Sequence, residues 1–198
     1  LNGKRDTQNF LQTSQQRFNQ YGLTGCLTIY NSSFENTVLQ VDGGICEDSL
    51  NIIRSTGNLN LVSVSNAFAD AVDIDFSEVN ILDLQIINAG NDCLDVSGGV
   101  YSIKKAILES CGDKGISVGE ASKLTTLEFE LKGADIGISS KDFSKVEIFK
   151  ASFEKTDICA EAIQKKQEFG GAFLSITELN CKGSTNIDNH SIFLGGTP

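Results

Sequence analysis

Five segments of this 198-residue chain, each 22 residues from the next, carry the same order of residue types, and that repeat restricts the fold more than any other property of the sequence. Ala71-Val72-Asp73-Ile74-Asp75 reads small, apolar, acidic, apolar, polar. At the same interval follow Cys93-Leu94-Asp95-Val96-Ser97, Gly115-Ile116-Ser117-Val118-Gly119, Gly137-Ile138-Ser139-Ser140-Lys141 and Cys159-Ala160-Glu161-Ala162-Ile163. Apolar and polar residues alternate within each segment, the mark of a strand with one buried face. Val72, Leu94, Ile116, Ile138 and Ala160 then form one inward column, and Ile74, Val96, Val118, Ser140 and Ala162 a second. Another strand repeats likewise: Leu124, Thr126, Phe129 and Leu131 return as Val146, Ile148, Ala151 and Phe153.

Short strands recurring at a fixed interval, with no helix-length segment between them, pair with their copies in the coils above and below, about 4.8 Å away. The expectation is an all-β, right-handed parallel β-helix (solenoid) with coils of about 22 residues, the hand following from the bias of parallel crossovers. Nineteen glycines and one proline, Pro198, agree with many tight corners and almost no residue unable to donate to a ladder. The row Asn91, Asp113, Asp135, Asp157 recurs at a corner, where such side chains bond the local backbone and tolerate left-handed conformations. The asparagine ladder of leucine-rich repeats and the GGxGxD calcium nonapeptide are absent from the sequence.

The length suits one domain, 1–198: an N-terminal cap over 1–22, coils over 23–163, and a C-terminal coil and cap over 164–198. Residues 6–20, with Phe10, Leu11 and Phe18 among glutamines and Asp6 as N-cap, predict a short amphipathic helix covering the open end. Leu39-Gln40-Val41-Asp42 aligns with Val72 to Asp75 at an offset of 33, which predicts 11 extra residues looping out within 43–57. A smaller insertion is expected around 164–171, which holds Lys165, Lys166 and Glu168, before an apolar strand over 172–179.

Asp70-Ala71-Val72-Asp73-Ile74-Asp75, Asn88-Ala89-Gly90-Asn91-Asp92-Cys93-Leu94-Asp95-Val96-Ser97 and Gly112-Asp113-Lys114-Gly115-Ile116-Ser117-Val118-Gly119-Glu120 resemble coils of the pectate-lyase-like right-handed parallel β-helix superfamily. They are most similar to uncharacterised β-helix repeat domains found beside CotH-type kinase domains. The resemblance spans 59–153 and implies the fold. That superfamily includes enzymes that cleave or epimerise acidic polysaccharides by abstracting the proton beside a carboxylate, with calcium and basic side chains offsetting charge. Its catalytic signatures are missing here: Asp-Pro-His-Glu, Asn-Thr-Asp, Gly-His-Gly and Arg-Ile-Lys do not occur.

A net charge of -10 repels phosphate backbones and anionic membrane surfaces, so no nucleic acid is expected as partner. No 18-residue apolar run exists, and membrane insertion is not expected. A chain that starts at Leu1 and lacks methionine reads as a mature product or a piece of a longer parent chain, whose other domains would then be partners. The six cysteines, spaced 20, 47, 18, 48 and 22 apart, contain no CxxC pair and rule out a zinc ribbon. Their even number permits disulfides of open connectivity; the reading made here is mostly free, buried thiols.

The chemistry-bearing feature is acidic. Asp70, Asp73, Asp75, Asp92 and Asp95 fall at the corner or on the outward side of one strand in two consecutive coils. Carboxylates stacked about one rung apart repel by roughly 1 kcal/mol in water and by more when partly buried, which invites a cation or a raised pKa. Calcium suits such oxygen donors, and these five residues are its candidate ligands. Asp73, Asp95, Tyr101, Lys114 and Arg54 are candidates for contacting a polysaccharide, with Tyr101 as the main outward aromatic. The favoured expectation is a non-catalytic module of an exported or envelope-associated bacterial protein, secreted or at the cell surface. It would serve as rigid scaffold or as a glycan- or calcium-binding surface. The alternative is a lyase or epimerase of uronic-acid polymers, with Lys114 as base and Arg54 as charge neutraliser; catalytic residues are otherwise unassigned, and the lone His190 falls outside the regular coils.

Overall fold

The computed structural model describes residues 18–195, and no helix occurs among them. The expected capping helix over 6–20 lies almost wholly outside the described residues. In chain order the strands are β1 (Gly25–Tyr30), β2 (Ser33–Asp42), β3 (Asp48–Ile53), β4 (Thr56–Ala67), β5 (Asp70–Asp75), β6 (Glu78–Ala89), β7 (Leu94–Ser97), β8 (Val100–Cys111), β9 (Lys114–Gly119), β10 (Lys123–Lys141), β11 (Lys145–Ile163), β12 (Phe173–Asn180), β13 (Ser184–Ile187) and β14 (Ile192–Gly195). Every pairing between them is parallel, and the order β1-β3-β5-β7-β9-β10 on one side and β2-β4-β6-β8-β10 on the other defines a parallel β-solenoid. Coil repeats stack in register: Val72 on Leu94, Leu94 on Ile116, Ile116 on Ile138 and Ile138 on Ala160.

The inward columns form the core. Val72, Leu94, Ile116, Ile138 and Ala160 are each 0% exposed. Alternation along β6, β10 and β11 is broken at one shared position, where Leu82-Asp83, Leu127-Glu128 and Phe149-Lys150 are exposed in succession; there the strand turns a corner without leaving its ladder. Phe129 and Phe153 fill the interior edge to face, with ring centroids 4.7 Å apart. A serine row holds another corner. The Ser77 hydroxyl accepts the Ser55 N–H, the Ser122 hydroxyl accepts the Gly99 N–H, and the Ser144 hydroxyl accepts the Ser122 N–H, so corner donors of one coil are satisfied by the next.

Two sequence expectations need correction. Leu39 pairs with Val62, and Leu50 pairs with Val72, so β3 continues β5 at an offset of 22 and no 11-residue loop projects from 43–57. Both Leu39-Gln40-Val41 and Leu50-Asn51-Ile52 present the same alternation, and a period of two does not reveal which side of the coil a strand lies on. The later insertion is present: Lys145 pairs with Phe173, 28 residues on, with 164–171 as the extra material. The free thiols are also overturned, because the cysteines form three disulfides, Cys26–Cys46, Cys93–Cys111 and Cys159–Cys181. Cys93 takes the column of Ala71 and Gly115, and Cys111 lies in register with Ala89. Each bridge therefore closes roughly one coil on itself, across a corner too tight for large residues: a Cβ on Gly115 would come within 2.6 Å of the Gly137 carbonyl oxygen.

Thr126 is the discordant core residue. It stands between Ile103 and Ile148, 0% exposed, and its Oγ1 has no hydrogen-bond partner. An unsatisfied buried hydroxyl costs about 1–3 kcal/mol, so the near-isosteric Thr126→Val raises the melting temperature by several degrees, at about 2–4 °C per kcal/mol for a chain of this size. Thermal denaturation by circular dichroism measures it, and a lower melting temperature than wild type would contradict the assignment.

Candidate functional site

The side opposite the core along the stack β3-β5-β7-β9-β10-β11-β13 carries one continuous polar ladder. Asn51 pairs with Asp73, Asp73 with Asp95, Asp95 with Ser117, Ser117 with Ser139, Ser139 with Glu161 and Glu161 with Asn186. Strand alternation puts all of these on the side opposite the core columns. Beside them Asp75, Ser97 and Lys141 occupy the next outward position. Asp48 and Asp70 lie in register at the corner that precedes the face.

Asp70 and Asp92 have a backbone duty. Asp70 Oδ1 accepts the Asp92 N–H at 2.9 Å and the Asn91 side-chain amide at 2.7 Å, and Asp92 Oδ1 accepts the Lys114 N–H at 3.0 Å. An aspartate at this corner thus satisfies a donor of the following coil. Burial pushes both carboxyls up: Asp70 to about 6, against the hydrogen bonds from Asp92 and Asn91, and Asp92 to about 7, against the attraction of Lys114.

Asp73, Asp75 and Asn51 form the centre of the acidic end. The Asn51 Nδ2 lies 3.3 Å from Asp73 Oδ2 and 3.5 Å from Asp75 Oδ2, while the buried Asn51 Oδ1 has no hydrogen-bond partner. Burial pushes the Asp73 carboxyl up to about 9, helped by the charges of Asp75, Asp48, Asp95 and Asp70. Burial also raises Asp75, partly offset by the hydrogen bond from Asn51. Among the described residues, no three His, Cys, Asp or Glu side chains converge as a metal-holding group in their present rotamers.

The remaining sequence candidates separate. Lys114 is caught between carboxylates, with Nζ 3.5 Å from Asp92 Oδ1 and bonded to Asp113. Burial works to lower its pKa, but the Asp113 hydrogen bond and the Asp92 charge outweigh that and hold it above the usual lysine range, so it keeps its proton. Tyr101 is not an outward aromatic. It lies in the core column of Val79 and Leu124, only 4% exposed, and its hydroxyl donates to the Ile74 and Ser97 carbonyls, within 2.9 and 2.8 Å. Burial raises its pKa. Arg54 is exposed at the turn after β3, with φ of 50°, and its N–H donates to the Asp75 carbonyl, so it borders the acidic end.

Sequence reasoning missed several members. Asp48 and Asn51 extend the ladder by one coil; the misplaced alignment of Leu39 to Asp42 hid them. Phe76 and Phe143 are exposed aromatics at the edge of the face, 56% and 60% exposed, and Tyr30 stands in the column of Asp75 at 59%. Each phenylalanine ring lies over a glycine of the following coil: a Cβ on Gly98 would meet the Phe76 ring at 2.5 Å, and one on Gly170 would clash with that of Phe143. At the far end the buried Lys141 donates to Ser117 Oγ at 2.6 Å, and Ser139 and Asn186 donate to the two Glu161 oxygens, each at 2.7 Å. The inserted segment 164–171 is tied across that end. Asp142 Oδ1 accepts the N–H groups of Lys165 and Lys166, and Lys166 pairs with Glu120.

Comparison with protein families, with curated proteins and with solved structures found no match to this chain. Fold and cross-links define its class: a disulfide-bonded parallel β-solenoid. Three disulfides point to an extracytoplasmic, oxidising environment. No helix among the described residues is long and apolar enough to cross a membrane.

Proposed function

We propose that this chain is a non-catalytic, rigid module of a secreted or surface-bound protein, and that its polar face binds a polysaccharide through one calcium ion. The hand is taken as right, from the crossover bias, and the coils as relatives of the pectate-lyase-like superfamily, from the residue pattern already quoted. The carrying observation is the Asn51, Asp73 and Asp75 group. Turning the Asn51 amide over, a choice that X-ray maps themselves rarely settle, exchanges its partnerless oxygen for the nitrogen that now lies 3.3 and 3.5 Å from the two carboxylates. The Asn51 oxygen then faces one oxygen of each carboxylate, with Asp95 one rung away. Flexible, oxygen-only coordination suits calcium better than magnesium. Carboxyls pushed up by burial, with the charges of their neighbours adding to it, have an electrostatic reason to accept a dication in place of a proton.

Calcium with open coordination positions takes sugar hydroxyls or carboxylates as further ligands, and the exposed rings of Phe76 and Phe143 offer flat apolar faces on which a sugar ring can rest. The ladder runs along the solenoid axis, and its half-buried members Asp73 and Asp95 offer a linear chain carboxylates at two consecutive rungs. Catalysis finds less support, since Lys114 is held protonated between Asp92 and Asp113. Binding to a panel of immobilised polysaccharides, with calcium and with chelator, tests the reading. Retention of at least one polymer that needs calcium and drops at least tenfold in Phe76→Ala is expected. Retention indifferent to calcium and to Phe76 would refute it.

A further inference from the structure

We propose that the chain carries N-linked glycans on Asn31 and Asn189; this stands independently of any ligand on the acidic face. The acceptor triplet Asn-X-Ser/Thr occurs at two places in the sequence, Asn31-Ser32-Ser33 and Asn189-His190-Ser191, with no proline between. Both asparagines are exposed and both lie in turns, Asn31 between β1 and β2 with φ of 49°, Asn189 between β13 and β14.

Their placement along the axis is the second observation. Among the described residues β1 and β2 pair on one side alone, with β3 and β4, and β13 and β14 pair on one side alone, with β11 and β12. The two triplets thus fall in the two terminal coils and in none of those between. Intermediate coils use their surface asparagines in another way: Asn80 donates to Asn58, Asn88 to Asn66 and Asn91 to Asp70, ladders that a linked sugar would break. The disulfides place folding in the oxidising type of compartment in which this modification is made.

The step is a glycosyl transfer. The Asn Nδ2 attacks the anomeric carbon of a lipid-pyrophosphate-linked oligosaccharide held by a membrane transferase. A carbon–nitrogen bond forms, the carbon–oxygen bond to phosphate breaks with its electron pair leaving on the lipid pyrophosphate, and the one proton that the amide gives up passes to a base of the transferase and on to solvent.

The test is secretion of the full chain from eukaryotic cells behind a secretory leader, followed by intact mass before and after peptide-N-glycosidase. Two glycans are expected. Asn31→Gln and Asn189→Gln should each remove one, and Ser33→Ala and Ser191→Ala should do the same while leaving the asparagine in place. An unmodified mass, occupancy at one site alone, or glycans that survive these variants would overturn the assignment.

Discussion

Raising the pH from about 5 to about 9 lowers the melting temperature of the oxidised protein, because four aspartates in the acidic end, Asp70, Asp73, Asp75 and Asp92, hold protons more tightly folded than unfolded. In the unfolded chain their pKa values return to about 3.9. Folded, Asp70 is pushed up to about 6, Asp92 to about 7 and Asp73 to about 9, with burial the main cause in each. A carboxyl raised in this way contributes stability that is fully present below the unfolded pKa and is lost as pH rises through the folded one. The loss is about 1.4 kcal/mol for each pH unit over which one carboxyl is protonated folded and ionised unfolded. Asp188 works the other way, since the Gln164, Ser191 and His190 hydrogen bonds outweigh burial and lower its pKa, so its contribution fades as pH falls below the usual carboxylate range. Maximum stability therefore lies on the mildly acidic side of neutral. Asp73→Asn keeps the shape, removes the largest contributor, and should flatten the profile while raising stability at pH 8. A melting temperature constant from pH 5 to 9, or a steeper fall in Asp73→Asn, would contradict the electrostatics described.

Ile116→Asp abolishes folding. Ile116 sits at 0% exposure between Leu94 and Ile138 in the column shared by successive coils. A carboxylate there has no cation or donor within the core, and an uncompensated buried charge costs at least about 3–5 kcal/mol, to which the lost apolar burial adds about 1.5–3 kcal/mol. Together these reach the whole stability of an ordinary domain, about 5–15 kcal/mol. Thr125→Asp, on the exposed side of β10, is the matched control and should fold. Loss of the β-sheet spectrum in the first and retention in the second is the expected result; a folded Ile116→Asp protein would overturn the inward column.

The columns were legible because a solenoid writes its third dimension into the sequence. Residues that touch along the axis recur at one interval, and Val72, Leu94 and Ile116 could be stacked without seeing the fold. What alternation does not encode is the phase of a strand around the coil. Leu39 to Asp42 and Leu50 to Ile53 match the pattern of β5 equally well, and choosing the first removed Asp48 and Asn51 from the site. Tyr101 is legible as inward from its copies Val79 and Leu124, which are apolar; its nearness to acidic residues in the sequence says nothing of the side on which the ring lies. The disulfides left a signal that went unread. Separations of 20, 18 and 22 within the three pairs are each close to one coil, the spacing at which the chain returns to its starting corner. Phe76 and Phe143 were less accessible, since their exposure depends on Gly98 and Gly170 in the following coil and on turns with positive φ, at 48° and 63°.

Calcium titration by calorimetry tests the central proposal most directly. One calcium per chain is expected, with a dissociation constant in the micromolar to millimolar range and no comparable magnesium binding. Because the Asp73 carboxyl is pushed up to about 9, binding near neutral pH must displace a proton. The observed heat should therefore vary with the ionisation enthalpy of the buffer, and affinity should rise with pH. Asp73→Asn and Asp75→Asn should each weaken binding by at least tenfold while the chain stays folded. No heat at millimolar calcium, or binding that survives both substitutions unchanged, would contradict the account and leave the acidic end as a solvated surface.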